Sequence, residues 1–281
     1  MKNILAIHDL SCFGRCALTV VIPTLSAMAH QVTPLPTALL STHTGGFKNM
    51  TFLDLADTMK PNFDHMTASG ARFDAVFSGF LGSAEQIDTV AYIIKNCKDS
   101  LICVDPVMGD GGKLYQTYTE QMKERMSELC SLATVITPNL TEAVFLLDET
   151  YTDTSSMTIT EAKEYARLLC NRLFDRYGCR YIALTGVECT ENGKLYIGTA
   201  VLDNRKYDFI ANEHVGTGYP GTGDIFASVL LGQMLSGRDF ENSARIAADF
   251  IGTLVSDTYA AKTPVRDGVL IEKSLYKLIQ A

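Results

Sequence analysis

No run of apolar residues in this 281-residue chain approaches the length needed to span a bilayer. The opening Met1-Lys2-Asn3-Ile4-Leu5-Ala6-Ile7 is too short for a signal peptide and reads as a first strand. The eight cysteines include no C-x-x-C pair, which argues against a zinc site. Cys103 and Cys170 lie inside apolar segments and read as buried thiols, a usage that points to the reducing cytoplasm. Like charges do not cluster. The net charge of −8 is spread along the chain, against a nucleic-acid or anionic-membrane surface. There is no G-x-x-x-x-G-K-[ST], so a Walker-type phosphate loop is excluded. Internal repeats, low-complexity tracts and plausible linkers are missing too, and one domain covering 1–281 is expected.

What is present gathers around Val215-Gly216-Thr217-Gly218-Tyr219-Pro220-Gly221-Thr222-Gly223-Asp224-Ile225. Four glycines and a proline in this stretch cannot form a regular element. From Ile225 the apolar residues recur at helical spacing up to Leu235, with Gly237 as a stop. A glycine-rich loop therefore feeds a helix N-terminus, whose free N–H groups and partial positive charge suit a phosphate. Asp224 there is either a structural N-cap or a proton acceptor. The match of 216–221 to G-x-G-x-x-G is weak evidence for a dinucleotide oxidoreductase, because two helices follow it and no strand.

Elsewhere, strands are expected at 3–7, 31–35, 73–78, 101–105, 134–136 and 181–184, with a hairpin over 195–210. Helices are expected at 16–29, 52–59, 84–97, 120–130, from Thr141, 160–177 with Gly178 as its stop, 225–236, 240–261 and, as a short one, at the end of the chain. Alternation of this kind predicts an α/β fold with a mostly parallel sheet covered on both faces. Ligands of such sheets sit beyond the carboxyl ends of the strands. Asp9, Phe80, Asp105, Asn139 and Thr185 all fall there, with Asp110 and Glu142 close behind. Carboxylates at strand ends beside a phosphate-binding helix suggest a Mg-nucleotide site, although each acid alone is more simply a solvated loop residue.

Three motifs in this order resemble those of pyridoxal kinases, in the ribokinase-like superfamily of small-molecule kinases. They are Val104-Asp105-Pro106-Val107-Met108-Gly109-Asp110, Ile136-Thr137-Pro138-Asn139 with Glu142, and Gly221-Thr222-Gly223-Asp224. Ser41-Thr42-His43-Thr44-Gly45 is similar to another segment of that family. The resemblance covers nearly the whole chain and implies a three-layer α/β/α fold and an ATP-dependent kinase of the vitamin B6 hydroxymethyl group. It implies that Asp224 deprotonates the hydroxyl while the N–H groups of Gly221, Thr222 and Gly223 hold the transferring phosphoryl group. Asp105, Asp110 and Glu142 would organise Mg²⁺ and phosphates, and Asn139, Thr185 and Gly186 would contact the nucleotide. Asp9 and Thr44 would bind the polar edge of a pyridine ring and Phe80 its face, with His43 either a further contact or a satisfied structural residue. Pyridoxal kinases commonly carry Ser where this chain has Asp9, a carboxylate that could favour an amino-bearing vitamer. The resemblance further implies ATP as co-substrate, a monovalent cation beside Mg²⁺, and a homodimer. Hydroxymethylpyrimidine kinase and a non-catalytic vitamer-binding protein are the alternatives. Loops 41–48 and 109–113 are the candidate lids.

Overall fold

The computed structural model describes residues 1–279. The chain runs β1 (Asn3–Phe13), α1 (Leu18–Ala27), β2 (Gln31–Thr42), β3 (Phe52–Asp54), α2 (Ala56–Ala68), β4 (Ala75–Ser78), α3 (Ala84–Asn96) and β5 (Leu101–Val104). A small hairpin of β6 (Gly109–Asp110) and β7 (Lys113–Leu114) precedes α4 (Glu120–Cys130), β8 (Val135–Ile136), α5 (Leu140–Leu146) and α6 (Ile159–Tyr177). Then come β9 (Tyr181–Glu191), β10 (Lys194–Asp203), β11 (Lys206–Glu213), α7 (Thr222–Leu235), α8 (Phe240–Ala261) and α9 (Tyr276–Ile279).

Nine strands form one sheet in the order β11-β10-β9-β8-β5-β4-β1-β2-β3. The strands from β9 to β2 pair in parallel, while β10 and β11 at one edge and β3 at the other are antiparallel. The alternation of side chains across a strand divides the core in two. Leu5, Ile7, Val76, Ile102 and Val104 face a layer that includes α2 to α6. Ile4, Ala6, Ala75, Phe77 and Cys103 face α1, α7 and α8. The expected three layers are there, and Ile4 to Ile7 at their centre are completely buried. Cys103 and Cys170 are buried free thiols, as expected. Among the described residues no helix is long and apolar enough to cross a membrane.

Three expectations fail in instructive ways. The helix placed at 52–59 is instead β3 followed by α2, because Phe52 to Asp54 pairs with β2 before the helix can start. β1 continues through the polar His8-Asp9-Leu10-Ser11 because β2 keeps pairing it after β4 has ended at Ser78. β9 likewise runs past Thr185 to Glu191, held by β10 alone beyond its parallel ladder with β8. Pro34 and Pro36 are tolerated in β2 because its outer side is paired only at 38–40.

Candidate active site

The strand ends converge on the start of α7. Gly221, not Asp224, is the N-cap of that helix, at φ 82 with no side-chain cap. A side chain at Gly221 would meet the Arg15 carbonyl at 2.1 Å, so the loop packs directly on residues 14–17. Gly223 is different: it has ordinary backbone angles, and a Cβ there would meet nothing within 4 Å. The open space over Gly223 is room for a ligand against bare backbone. The Thr222 hydroxyl turns back to the Tyr219 carbonyl at 3.0 Å and leaves the helix start to its N–H groups.

Asp224 stands in the first turn of α7 with its side chain 14% exposed. Its Oδ2 accepts the Ala17 N–H at 2.6 Å, and its Oδ1 lies 3.1 Å from His8 Nε2. Ala17 holds φ 53 to make that contact, a strained angle for a residue with a Cβ. The opposite nitrogen of the His8 ring, Nδ1, is 2.9 Å from Asp9 Oδ1, and Ser11 donates to Asp9 Oδ2 at 2.7 Å. Burial works to lower the His8 pKa, but Asp224 and Asp9 overcome it and raise it to about 10. Burial in turn works to raise the Asp224 pKa, and His8 with the Ala17 N–H holds it below the usual carboxylate range. Asp9 is therefore not the free acceptor the sequence suggested. One oxygen faces an imidazolium that it shares with Asp224, and the other is committed to Ser11.

His43 is likewise engaged on both nitrogens. Gly45 N–H donates to Nδ1 at 3.0 Å, so Nε2 carries the proton and donates to the Arg266 carbonyl at 2.7 Å. Arg266 lies 5.2 Å over the Phe47 ring, and Arg15 N–H donates to the Asp267 carbonyl at 3.1 Å. Residues 264–268 thus tie together the two loops, 14–17 and 43–47, that flank Asp224. Thr44 is half-buried in the second loop. Phe80 is buried beyond β4, and its carbonyl accepts the Thr37 hydroxyl at 2.9 Å.

Toward the other edge, Asn139 caps α5 in a reciprocal capping box: Asn139 Oδ1 accepts the Glu142 N–H at 2.9 Å, and Glu142 Oε2 accepts the Asn139 N–H at 2.8 Å. Asn139 Nδ2 donates to the Gly109 carbonyl at 2.8 Å, and Glu142 Oε1 accepts the Met108 N–H at 3.0 Å. The T-P-N-x-x-E motif thus braces the loop after β5. Asn139 also bridges Thr185, and Gly186 turns β9 at φ 72. Asp110, on the exposed tip of the small hairpin, accepts the Gly111 N–H at 2.7 Å. Asp110, Asn139, Thr141, Tyr151, Gly186 and Glu188 line an open cleft of about 390 Å³.

Asp105 is buried at the centre of this edge. Burial, then Asp224, push its pKa up to about 7, and burial with Asp105 raises that of Glu142 well above the ordinary value. Neither carboxylate is offset by Lys or Arg among the described residues. The Thr137 hydroxyl lies beside Asp105 and works to lower its pKa. Among the described residues no three His, Cys, Asp or Glu side chains form a cage for a metal. Mg²⁺ does not require one, since it takes one or two carboxylates and completes its shell with water and phosphate. A buried carboxylate with a hydroxyl beside it and no Lys or Arg against it is a donor set that fits it.

A carboxylate at an open helix start, on the same sheet edge as an oxygen-lined cleft, is the layout of the ribokinase-like kinases, which transfer a phosphoryl group from a nucleotide to an alcohol. The chain belongs to the phosphomethylpyrimidine kinase family, whose model matches residues 22–267. A Bacteroides thetaiotaomicron VPI-5482 protein named for that family, crystallised with pyridoxal, is 39% identical over 99% of this chain and 95% of its own, with a TM-score of 0.88. The pyridoxal kinase of Lactobacillus plantarum is 29% identical over 100% of this chain and 97% of its own, also at 0.88. Pyridoxine kinase of Bacillus subtilis is 26% identical over 88% of this chain and 81% of its own length.

His8 is the residue that sequence reading passed over. A clue to it was available: on a strand, residue 8 shares a face with Ile4 and Ala6, the face that α7 covers.

Proposed function

We propose that this chain, as a single kinase domain, phosphorylates the 5′-hydroxymethyl group of a vitamin B6 vitamer with ATP. The observation that carries the reading is the ionised Asp224 carboxylate at the uncapped start of α7. The pyridoxal bound to the Bacteroides protein and the names of the Lactobacillus and Bacillus relatives support the choice of ring.

In this mechanism Asp224 receives the hydroxyl proton as the alcohol oxygen bonds to the γ-phosphorus. The bond from that phosphorus to the β-phosphate oxygen breaks, and ADP leaves. The N–H groups of Gly221, Thr222 and Gly223 face the transferring group, so stabilisation comes from fixed dipoles that need not reorganise. The nucleotide lies over Asn139, Thr185 and Gly186. Asp105, with the Thr137 hydroxyl and Asp110, would hold Mg²⁺, whose charge offsets that of the phosphates. Glu142 acts by bracing the loop of Asp105. Asp9 and Thr44 meet the polar edge of the ring and Phe80 its face, while His43 shapes the loop. The free thiols support a cytoplasmic setting, and the exposed Phe13, Phe52 and Leu53 support a homodimer.

ADP release with pyridoxal, pyridoxamine, pyridoxine and hydroxymethylpyrimidine tests this reading. Turnover is expected with the B6 vitamers at comparable rates. Turnover with hydroxymethylpyrimidine alone would transfer the chain to thiamine synthesis, and tight vitamer binding without turnover would make it a binding protein.

A further inference from the structure

His8 is an unusual group to find buried where it is. Its side chain is 3% exposed, on the α7 face of β1, with carboxylates on both sides. A carboxylate only accepts, so each ring nitrogen facing one must donate. The Asp9 amide nitrogen also lies 3.0 Å from Nδ1. Whichever of the two Asp9 groups Nδ1 answers to, the Nε2 proton is left for Asp224.

Asp224 is thereby held at two points, Oδ1 by His8 and Oδ2 by the Ala17 N–H. Rotation of the carboxylate would break one bond or the other. The ring itself has little freedom. It meets Phe77 edge-on, with centroids 6.4 Å apart and planes at 72°. On another side is Gly79, where an added Cβ would come within 2.1 Å of His8 Cδ2. Gly79 does not have a left-handed φ, and the atoms nearest that Cβ all belong to His8. What glycine provides at this position is room for the imidazole.

We propose that His8 is the positioning residue of the transfer reaction: seated on Gly79 and anchored by Asp9, it fixes the Asp224 carboxylate in the orientation that receives the alcohol proton. The inference rests on the reading of Asp224 as the proton acceptor. His8 touches neither substrate nor nucleotide and acts only through Asp224.

The test is a double-mutant cycle in the full chain, with kcat and KM measured for ATP and pyridoxal. His8→Ala should lower kcat roughly 10- to 100-fold, the scale of a misplaced catalytic group, while KM for ATP stays within about twofold. His8→Gln, whose terminal amide can still donate toward Asp224, should recover most of that loss. Gly79→Ala, which crowds the ring without removing it, should lower kcat in the same sense and carries the test if His8→Ala fails to fold. In an Asp224→Asn background, His8→Ala should cost nothing further, because there is no ionised carboxylate left to position. Wild-type kcat in His8→Ala would overturn the proposal, as would a second full loss on top of Asp224→Asn. If Asp224→Asn alone keeps normal turnover, the acceptor reading fails first. If Asp224→Asn is inactive and His8→Ala is normal, only the role of His8 is refuted.

Discussion

The two halves of the sheet's carboxyl edge handle buried charge in opposite ways. Beside β1 and α7, Asp224 and Asp9 share one internal imidazolium and are further met by backbone and hydroxyl donors, so the carboxylate oxygens are partnered within the protein. Beyond β5 and β8, Asp105 and Glu142 have no Lys or Arg beside them among the described residues, and only the more distant His8 offsets Asp105. The first half is organised before any ligand arrives. The second is left short of positive charge, as a site must be if a metal–nucleotide complex is to complete it. Burying carboxylates without counter-charge costs stability, and here the cost falls on the side where a cation is expected.

The difference can be broken most severely at Asp224. Asp224→Asn should cut kcat by roughly 10²–10⁴-fold, the usual worth of a general base, while a direct binding measurement finds ATP affinity little changed. Gly223→Ala should come next. Its Cβ meets no protein atom, so a thermal melt should show unaltered folding, yet the methyl group would enter the space proposed for the phosphoryl group, and kcat should fall about 10- to 100-fold. In the other half, Asn139→Ala removes a helix cap and the tether to Gly109. It should cost about 1 kcal/mol in denaturant unfolding and raise KM for ATP several-fold, with kcat less affected. The smallest effect is in pH. The folded-state pKa of His8 is raised from 6.5 to about 10, so its contribution to stability is complete below pH 6.5 and fades as pH rises toward 10. Melting temperatures of the wild type should therefore decline across that window relative to His8→Gln, by a few degrees. A parallel pair of curves would mean that the imidazole is neutral in the folded protein.

Much of this is legible in the amino-acid sequence. The limits of α3, α4 and α6, with Gly178 as the left-handed stop, follow from apolar spacing and caps, which are local signals. So does the feeding of α7 by a glycine-rich loop. What was missed depends on partners distant in sequence. β1 and β9 outrun their apolar stretches because a neighbouring strand continues beside them, and no local pattern encodes how long a neighbour runs. Glu142 and Asn139 were visible as a motif, but not that they bond chiefly to each other and to the preceding loop. His8 was hidden for a related reason. A polar residue at an apparent strand end reads as the start of a loop, and only the parity of β1 shows that it points under α7.

The clasp formed by residues 264–268 bears on the order of events during synthesis. The bonds that shape the pocket around Asp224 join positions 207 to 252 residues apart. A chain still emerging from the ribosome can pair its early strands and bury much of their apolar surface, but it cannot yet arrange Asp224 or anchor the loops beside it. Contacts of such long range close late and slowly. Catalytic competence therefore comes as one of the last acts of folding, and an incomplete chain would not begin spending ATP.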